Sequence, residues 1–110
     1  MQYLDDFDEE ILESLKSPDP AVRREAVVTA GISELKSAWP EIQKLIASSE
    51  TEKSLLTAAI VAAAAVNPEE SREAIEEFAV SEDEEIAYAA QEALEILEES
   101  DLREDEESPF

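Results

Sequence analysis

The strongest constraint on how this chain can fold is a sequence register of 32 residues. The segment Ser17-Pro-Asp-Pro-Ala-Val-Arg-Arg-Glu-Ala26 returns in form as Ser49-Glu-Thr-Glu-Lys-Ser-Leu-Leu-Thr-Ala58 and again as Ser81-Glu-Asp-Glu-Glu-Ile-Ala-Tyr-Ala-Ala90. The shift aligns Ser17, Ser49 and Ser81 at a turn. It aligns Ala26, Ala58 and Ala90 inside a helix, where a small side chain lets neighbours approach. The first two copies are each followed by a shorter apolar stripe: Ile42, Leu45 and Ile46, then Ile75, Phe78 and Ala79. Ile11, Leu12 and Leu15 form another such stripe, a second helix without its first. Two helices per period of this length are the signature of a helical solenoid, in which stacked units bury a core that no single unit could.

Local signals agree with helices throughout. The chain has one Gly, and Ala, Glu and Leu, all good helix formers, dominate it. Asp19-Pro20 and Asn67-Pro68 read as N-caps followed by Pro at the first helical position. Ser49 with Glu52, Asn67 with Glu70, and Ser81 with Glu84 have capping-box spacing. Gly31 marks a helix end or a kink. Helices are predicted over 6–16, 20–32, 40–47, 52–65, 68–79 and 83–98. The expected fold is all-α, a short helical-hairpin solenoid of about six helices in three stacked layers. Residues 1–98 would form the repeat domain, and the acidic residues 99–110 a disordered tail. Within that tail, Leu102 and Phe110 in acidic surroundings resemble a short linear motif for a basic groove, but the favoured reading is a solubilising tail. The run Leu55–Val66 is apolar nearly all round, so it must be covered on several sides, as in the middle of a stack. At about 12 residues it is too short to span a membrane, which takes ~20.

Charge narrows the function. The 110 residues carry 30 acids and 8 bases, a net charge of -22. Eighteen of the acids, against two Arg, lie after residue 66, whereas residues 17–66 are nearly neutral. So negative a surface repels nucleic acid and anionic membranes; charge runs of this kind usually make a solvated helix face and a soluble tail, and the alternative is that they steer cationic partners. The absence of Cys and His excludes disulfides, Cys/His zinc sites and Ser-His or Cys-His catalysis. The acidic start lacks the basic and apolar stretches of a secretory signal, and a cytoplasmic location is expected.

The stretch Ser17-Pro-Asp-Pro-Ala-Val-Arg-Arg-Glu-Ala-Val resembles the opening of a HEAT repeat, in the short variety called phycobilisome-lyase HEAT-like repeats. The resemblance rests on Asp19, Pro20, Val22, Arg23, Ala26 and Gly31 and extends over about residues 6–98. The third copy is similar but has Ala87 where the family usually has Arg. The second has Thr51 at the Asp position and Leu55 at the Arg position, so the family's Asp–Arg ladder cannot run through the chain. The resemblance implies an α-α superhelix that docks a protein segment on one face. It does not imply lyase chemistry, because no nucleophile or acid–base pair here supports it.

No catalytic, cofactor-binding or metal-binding residues are assigned. The pairs Glu84/Glu85 and Glu98/Glu99 lack the cleft and opposed environments that acid–base work needs. Asp5, Asp6, Asp8, Glu9 and Glu10 lack the spacing and the Gly of a calcium loop. Arg23 and Arg24 are expected to pair with nearby acids. The candidate interface residues are Trp39, Tyr88, Glu84, Glu85, Glu92 and Glu95. Trp39 caps the core at its turn or anchors a partner. Tyr88, with Ile86, Ala89 and Ala93, covers the open end of the stack or receives another subunit, and Tyr3 and Phe7 would serve likewise at the other end. The expected function is a non-catalytic scaffold for a basic protein partner, with no cofactor, as a monomer or weak end-to-end dimer. An accessory subunit of a chromophore lyase, or an acidic surface adapted to high salt, are the alternatives.

Overall fold

A computed structural model describes residues 6–107, with side chains from 8 to 102. Its helices are α1 (Asp6–Ser14), α2 (Pro20–Ile32), α3 (Trp39–Ala47), α4 (Lys53–Val66), α5 (Pro68–Ala79) and α6 (Glu84–Glu107), with a 3-10 turn at Lys36–Ala38 before α3. Among the described residues there is no strand. Tyr3, Asp5 and the Phe7 side chain lie outside the described residues, as does Phe110.

The starts of three helices follow from short polar side chains. The Asp19 carboxylate accepts from the Ala21 amide at 2.9 Å, ahead of Pro20. The Asn67 side chain accepts from the Glu70 amide at 3.1 Å, ahead of Pro68. Asp83 accepts from the amides of Glu85 and Ile86 at 2.9 and 3.3 Å. Each satisfies a donor that the first helical turn leaves unpaired. Asp83, not Ser81, is therefore the cap of α6. Ser81 acts one step earlier, accepting from the Asp83 amide at 3.0 Å, as Ser17 does from Asp19 at 3.1 Å. In the middle copy the same turn is made by Ser48, which accepts from the Glu50 amide, so the aligned serine is displaced by one.

The first helices of the copies, α2, α4 and α6, pack side by side as one layer, and α1, α3 and α5 lie against it. As its composition requires, α4 is the central element. It sends Leu55, Ala59, Ala62, Ala63 and Val66 into a core shared with α1, α2 and α3. It sends Ile60 and Ala64 into a second core with Ile75 of α5 and Ala89, Ala90, Ala93 and Leu97 of α6. Burying each Leu or Ile contributes about 1.5–3 kcal/mol, so these two cores hold the stack together through one helix.

One sequence expectation is sharpened and another corrected. Gly31 lies one residue inside the end of α2, which runs through it to Ile32, and its backbone is not left-handed, so it marks that end without making the cap. Its role is close approach: a Cβ there would lie 3.0 Å from the Ala62 Cα and 3.1 Å from its Cβ. The helix end is made by Glu34, at φ 52. Its amide donates to Gly31 O, and the Leu35 amide donates to Ala30 O, at 3.1 and 3.0 Å. That is a Schellman cap with Glu in the left-handed place and Leu35 buried beneath it.

The correction is the end of α6. The tail expected to lack structure from residue 99 is helical as far as Glu107. Between Pro68 and Pro109 there is no Pro or Gly to stop a helix. The Arg72 guanidinium of α5 also holds the Asp101 carboxylate at 3.1 Å, tying the extension to the body.

Candidate functional site

The exposed apolar side chains that matter lie on the α2–α4–α6 layer. Along α4, Ala58, Val61, Ala62 and Ala65 form the floor of a trough of about 410 Å³. Val28 and Ile32 of α2 form one wall, and Ile96 of α6 stands opposite. Ile32 is 79% exposed, far more than its size would predict for a core residue. The floor is low because its residues are small and because Gly31 lets α2 and α4 close to van der Waals contact. Arg24 and Glu92 stand at the rim on opposite sides.

A second hollow of about 620 Å³ adjoins the trough, sharing Thr57 and Glu92 with it. Its lining includes Glu84, Glu85, Tyr88 and Ala89. Four of the six candidate interface residues, Glu84, Glu85, Tyr88 and Glu92, are thus brought together on one side of α6. Tyr88 is 67% exposed, while Ala89 and Ala93 are buried against α4 and α5. Tyr88 therefore does not join them in covering an end of the stack. Glu95 is exposed but lines neither hollow.

Trp39 is not on this face. It is 9% exposed and belongs to the first core, so its ring caps that core rather than standing out as an anchor. Its remaining edge, with Glu34, Lys36, Pro40 and Asn67, lines a cavity of about 640 Å³ at the opposite end of the first helices.

Electrostatics sharpen the α6 side. The Lys53 ammonium contacts Asp83 at 2.9 Å and Glu85 at 3.0 Å. The hydrogen bond to Asp83, then that to Glu85, raises the Lys53 pKa, and the Lys53 hydrogen bond lowers that of Asp83. This pairing links the second and third copies in place of the absent Asp–Arg ladder. Its lysine comes from two residues beyond the Thr51 position, a place the repeat motif does not mark. Thr51 itself donates to the Leu45 carbonyl at 2.7 Å. Glu84 and Glu92 have no ion-pair partner among the described residues. Arg23 and Arg24, expected to pair with acids, make no ion pair among the described residues, and the Arg23 Nε is buried without a hydrogen-bond partner.

No group of three or more acidic residues among those described is arranged to hold a metal ion. None of the described helices is long and apolar enough to cross a membrane.

Helical hairpins repeating at 32 residues, stacked in one register around a shared central helix, define an α-helical repeat protein. The chain belongs to the HEAT repeat family, whose model for HEAT repeats matches residues 9–95. No curated protein matches the chain. HEAT repeats commonly serve as protein-interaction scaffolds and are generally not catalysts.

Proposed function

We propose that this chain is a non-catalytic scaffold that binds another protein through its α2–α4–α6 face, and that the partner presents a basic surface. The observation that carries this reading is the junction of an apolar trough with the hollow lined by Glu84, Glu85, Glu92 and Tyr88. Apolar area supplies affinity, and a field of one sign steers encounter and selects against acidic partners. The tilt of charge toward the end of the chain aims that field at the α6 side. The near-neutral first copy contributes the apolar wall.

The test is capture from a lysate of the source cells at low salt. The bait is the wild-type chain or the Glu84→Gln/Glu85→Gln/Glu92→Gln variant. A partner retained by the wild type, lost from the variant and released by about 0.5 M salt supports the reading. Retention of nothing at any ionic strength, or equal retention by the variant, overturns it.

A further inference from the structure

We infer that the occupant of the α2–α4–α6 trough is an amphipathic basic helix of the partner, lying along α4 with its basic side chains toward α6. This rests on the scaffold reading above and specifies the form of the ligand.

The trough runs along α4 between two helical ridges. Its walls repeat at helical spacing, Val28 and Ile32 on one side and Glu92 and Ile96 on the other. Such a trough accepts another helix by placing a ridge into a groove at a spacing of about 8–10 Å. The small floor residues allow that approach. There is no strand edge among the described residues on which an extended peptide could pair. The 14 residues of α4 would run about 21 Å, which sets the length of helix that can be seated.

Charge then identifies the occupant. The apolar floor and walls match a stripe at i, i+3, i+4 and i+7. Glu92 stands at the α6 rim, continued by Glu84 and Glu85 in the adjoining hollow, and Arg24 stands at the α2 rim, so the ligand's lysines or arginines belong on the α6 flank of its apolar stripe. A second copy of this chain does not fit. Each copy carries a net charge of -22, and two copies would bring like charge together at the α6 rim.

The experiment uses the full chain, ¹⁵N-labelled, and three probes. One is a 14-residue Leu/Lys peptide with leucines at that spacing. The second has the same composition scrambled, and the third is poly-lysine. The expected result is that the amphipathic peptide shifts the amide signals of Val28, Ile32, Ala58, Val61, Ala65 and Ile96. The scrambled peptide should bind at least about tenfold more weakly, because it cannot bury a continuous stripe. Val28→Thr/Ile32→Asn should weaken the amphipathic peptide by about tenfold or more. If that variant fails to fold, the map of shifted signals on the wild type still decides. Shifts confined to α1, α3 and α5, or equal binding of both peptides, overturn the helical occupant. Equal, salt-sensitive binding of both peptides and poly-lysine would do so while leaving the basic-partner reading standing. No binding of any probe removes both.

Discussion

Lys53 and Glu85 occupy the same place in successive copies of the repeat, 32 residues apart, and are joined by a 3.0 Å ion pair that Asp83 completes at 2.9 Å. A position that carries a cation in one copy and an anion in the next makes the junction directional. The corresponding residue in the first copy is Ala21, so α2 and α4 have no such pair there. Asp83 has two roles, cap and ion-pair partner, and two substitutions separate them. Asp83→Asn keeps a capping acceptor and removes the charge, whereas Asp83→Ala removes both. The urea midpoint is expected to fall further for Asp83→Ala. The Asp83 pKa is lowered by folding, so the pair's contribution is present above the ordinary carboxylate value and lost as pH falls through the lowered one. The raised Lys53 value places the opposite loss at high pH, above the ordinary lysine range. The gap between wild type and Asp83→Asn should be constant from about pH 5 to 9 and shrink below about pH 4. A gap that does not narrow in acid would show that the charge plays no part.

Gly31 seals the junction that lacks an ion pair. Replacing it with Ala gains about 1 kcal/mol of helix propensity. The new Cβ sits 3.0 Å from a backbone atom, the Ala62 Cα, which a side-chain rotation cannot relieve. Overpacking of this kind costs about 1–3 kcal/mol, so Gly31→Ala should be net destabilising, by about 1 kcal/mol. Ala62→Gly in the same chain should not recover the loss, because it leaves the Ala62 Cα in place and itself costs about 1 kcal/mol of helix propensity. Equilibrium urea unfolding checks both, and a stabilised Gly31→Ala would mean that α2 and α4 can separate freely.

Glu34 carries a left-handed backbone at φ 52 in the cap of α2. An L-residue other than Gly or Asn gives up about 1 kcal/mol or more in that conformation. Glu34→Gly should therefore stabilise the chain by about 0.5–1 kcal/mol, after the larger unfolded-state entropy of Gly is subtracted. Thermal unfolding of the single variant is sufficient, and a lower midpoint would mean that the Glu34 side chain makes a compensating contact.

These positions show what could be read from the sequence. The register predicted the paired helices, and the all-round apolar run Leu55–Val66 predicted the central one, because burial on several sides leaves a compositional mark. Asp19, Asn67 and their prolines mark helix starts because the capping chemistry is local. The cap at Glu34 left no mark, since Glu is not a left-handed residue and the only Gly nearby serves a tertiary contact. Lys53 was equally silent, because its partners lie a full repeat away. The end of α6 was not legible because residues past 98 carry no apolar stripe, although they are good helix formers. Of the candidate interface, the Glu84–Glu92 side was legible as a charged helix flank. The trough beside it was not, because it is built from small residues of three helices.

Ser71 is fully buried on α5, and its Oγ finds no hydrogen-bond partner. An unsatisfied buried hydroxyl costs about 1–3 kcal/mol, and Ala is the better helix former. Ser71→Ala should raise stability by about 1 kcal/mol, since only one small atom is removed. Unfolding in urea at fixed salt measures it. A destabilised variant would indicate that the hydroxyl is hydrogen-bonded through water.

α6 holds eleven acids and one Arg, with Glu92, Glu95, Glu98 and Glu99 at repelling helical spacings. Acids in its last turn also oppose the helix dipole, which favours cations there. Screening should relieve both. As the Debye length falls from about 30 Å at 0.01 M to about 8 Å at 0.15 M, far-UV helicity and the thermal midpoint should rise, then level off. Hydrogen exchange should place the gain past Leu97, leaving the core amides of α4 little changed. Two other outcomes would carry different meanings. A midpoint flat from the lowest salt would mean that the repulsion is already offset by geometry. A midpoint that climbs on into molar salt, with a poorly folded chain below it, would identify the acidity as an adaptation to a saline interior and would remove the charge argument for a basic partner.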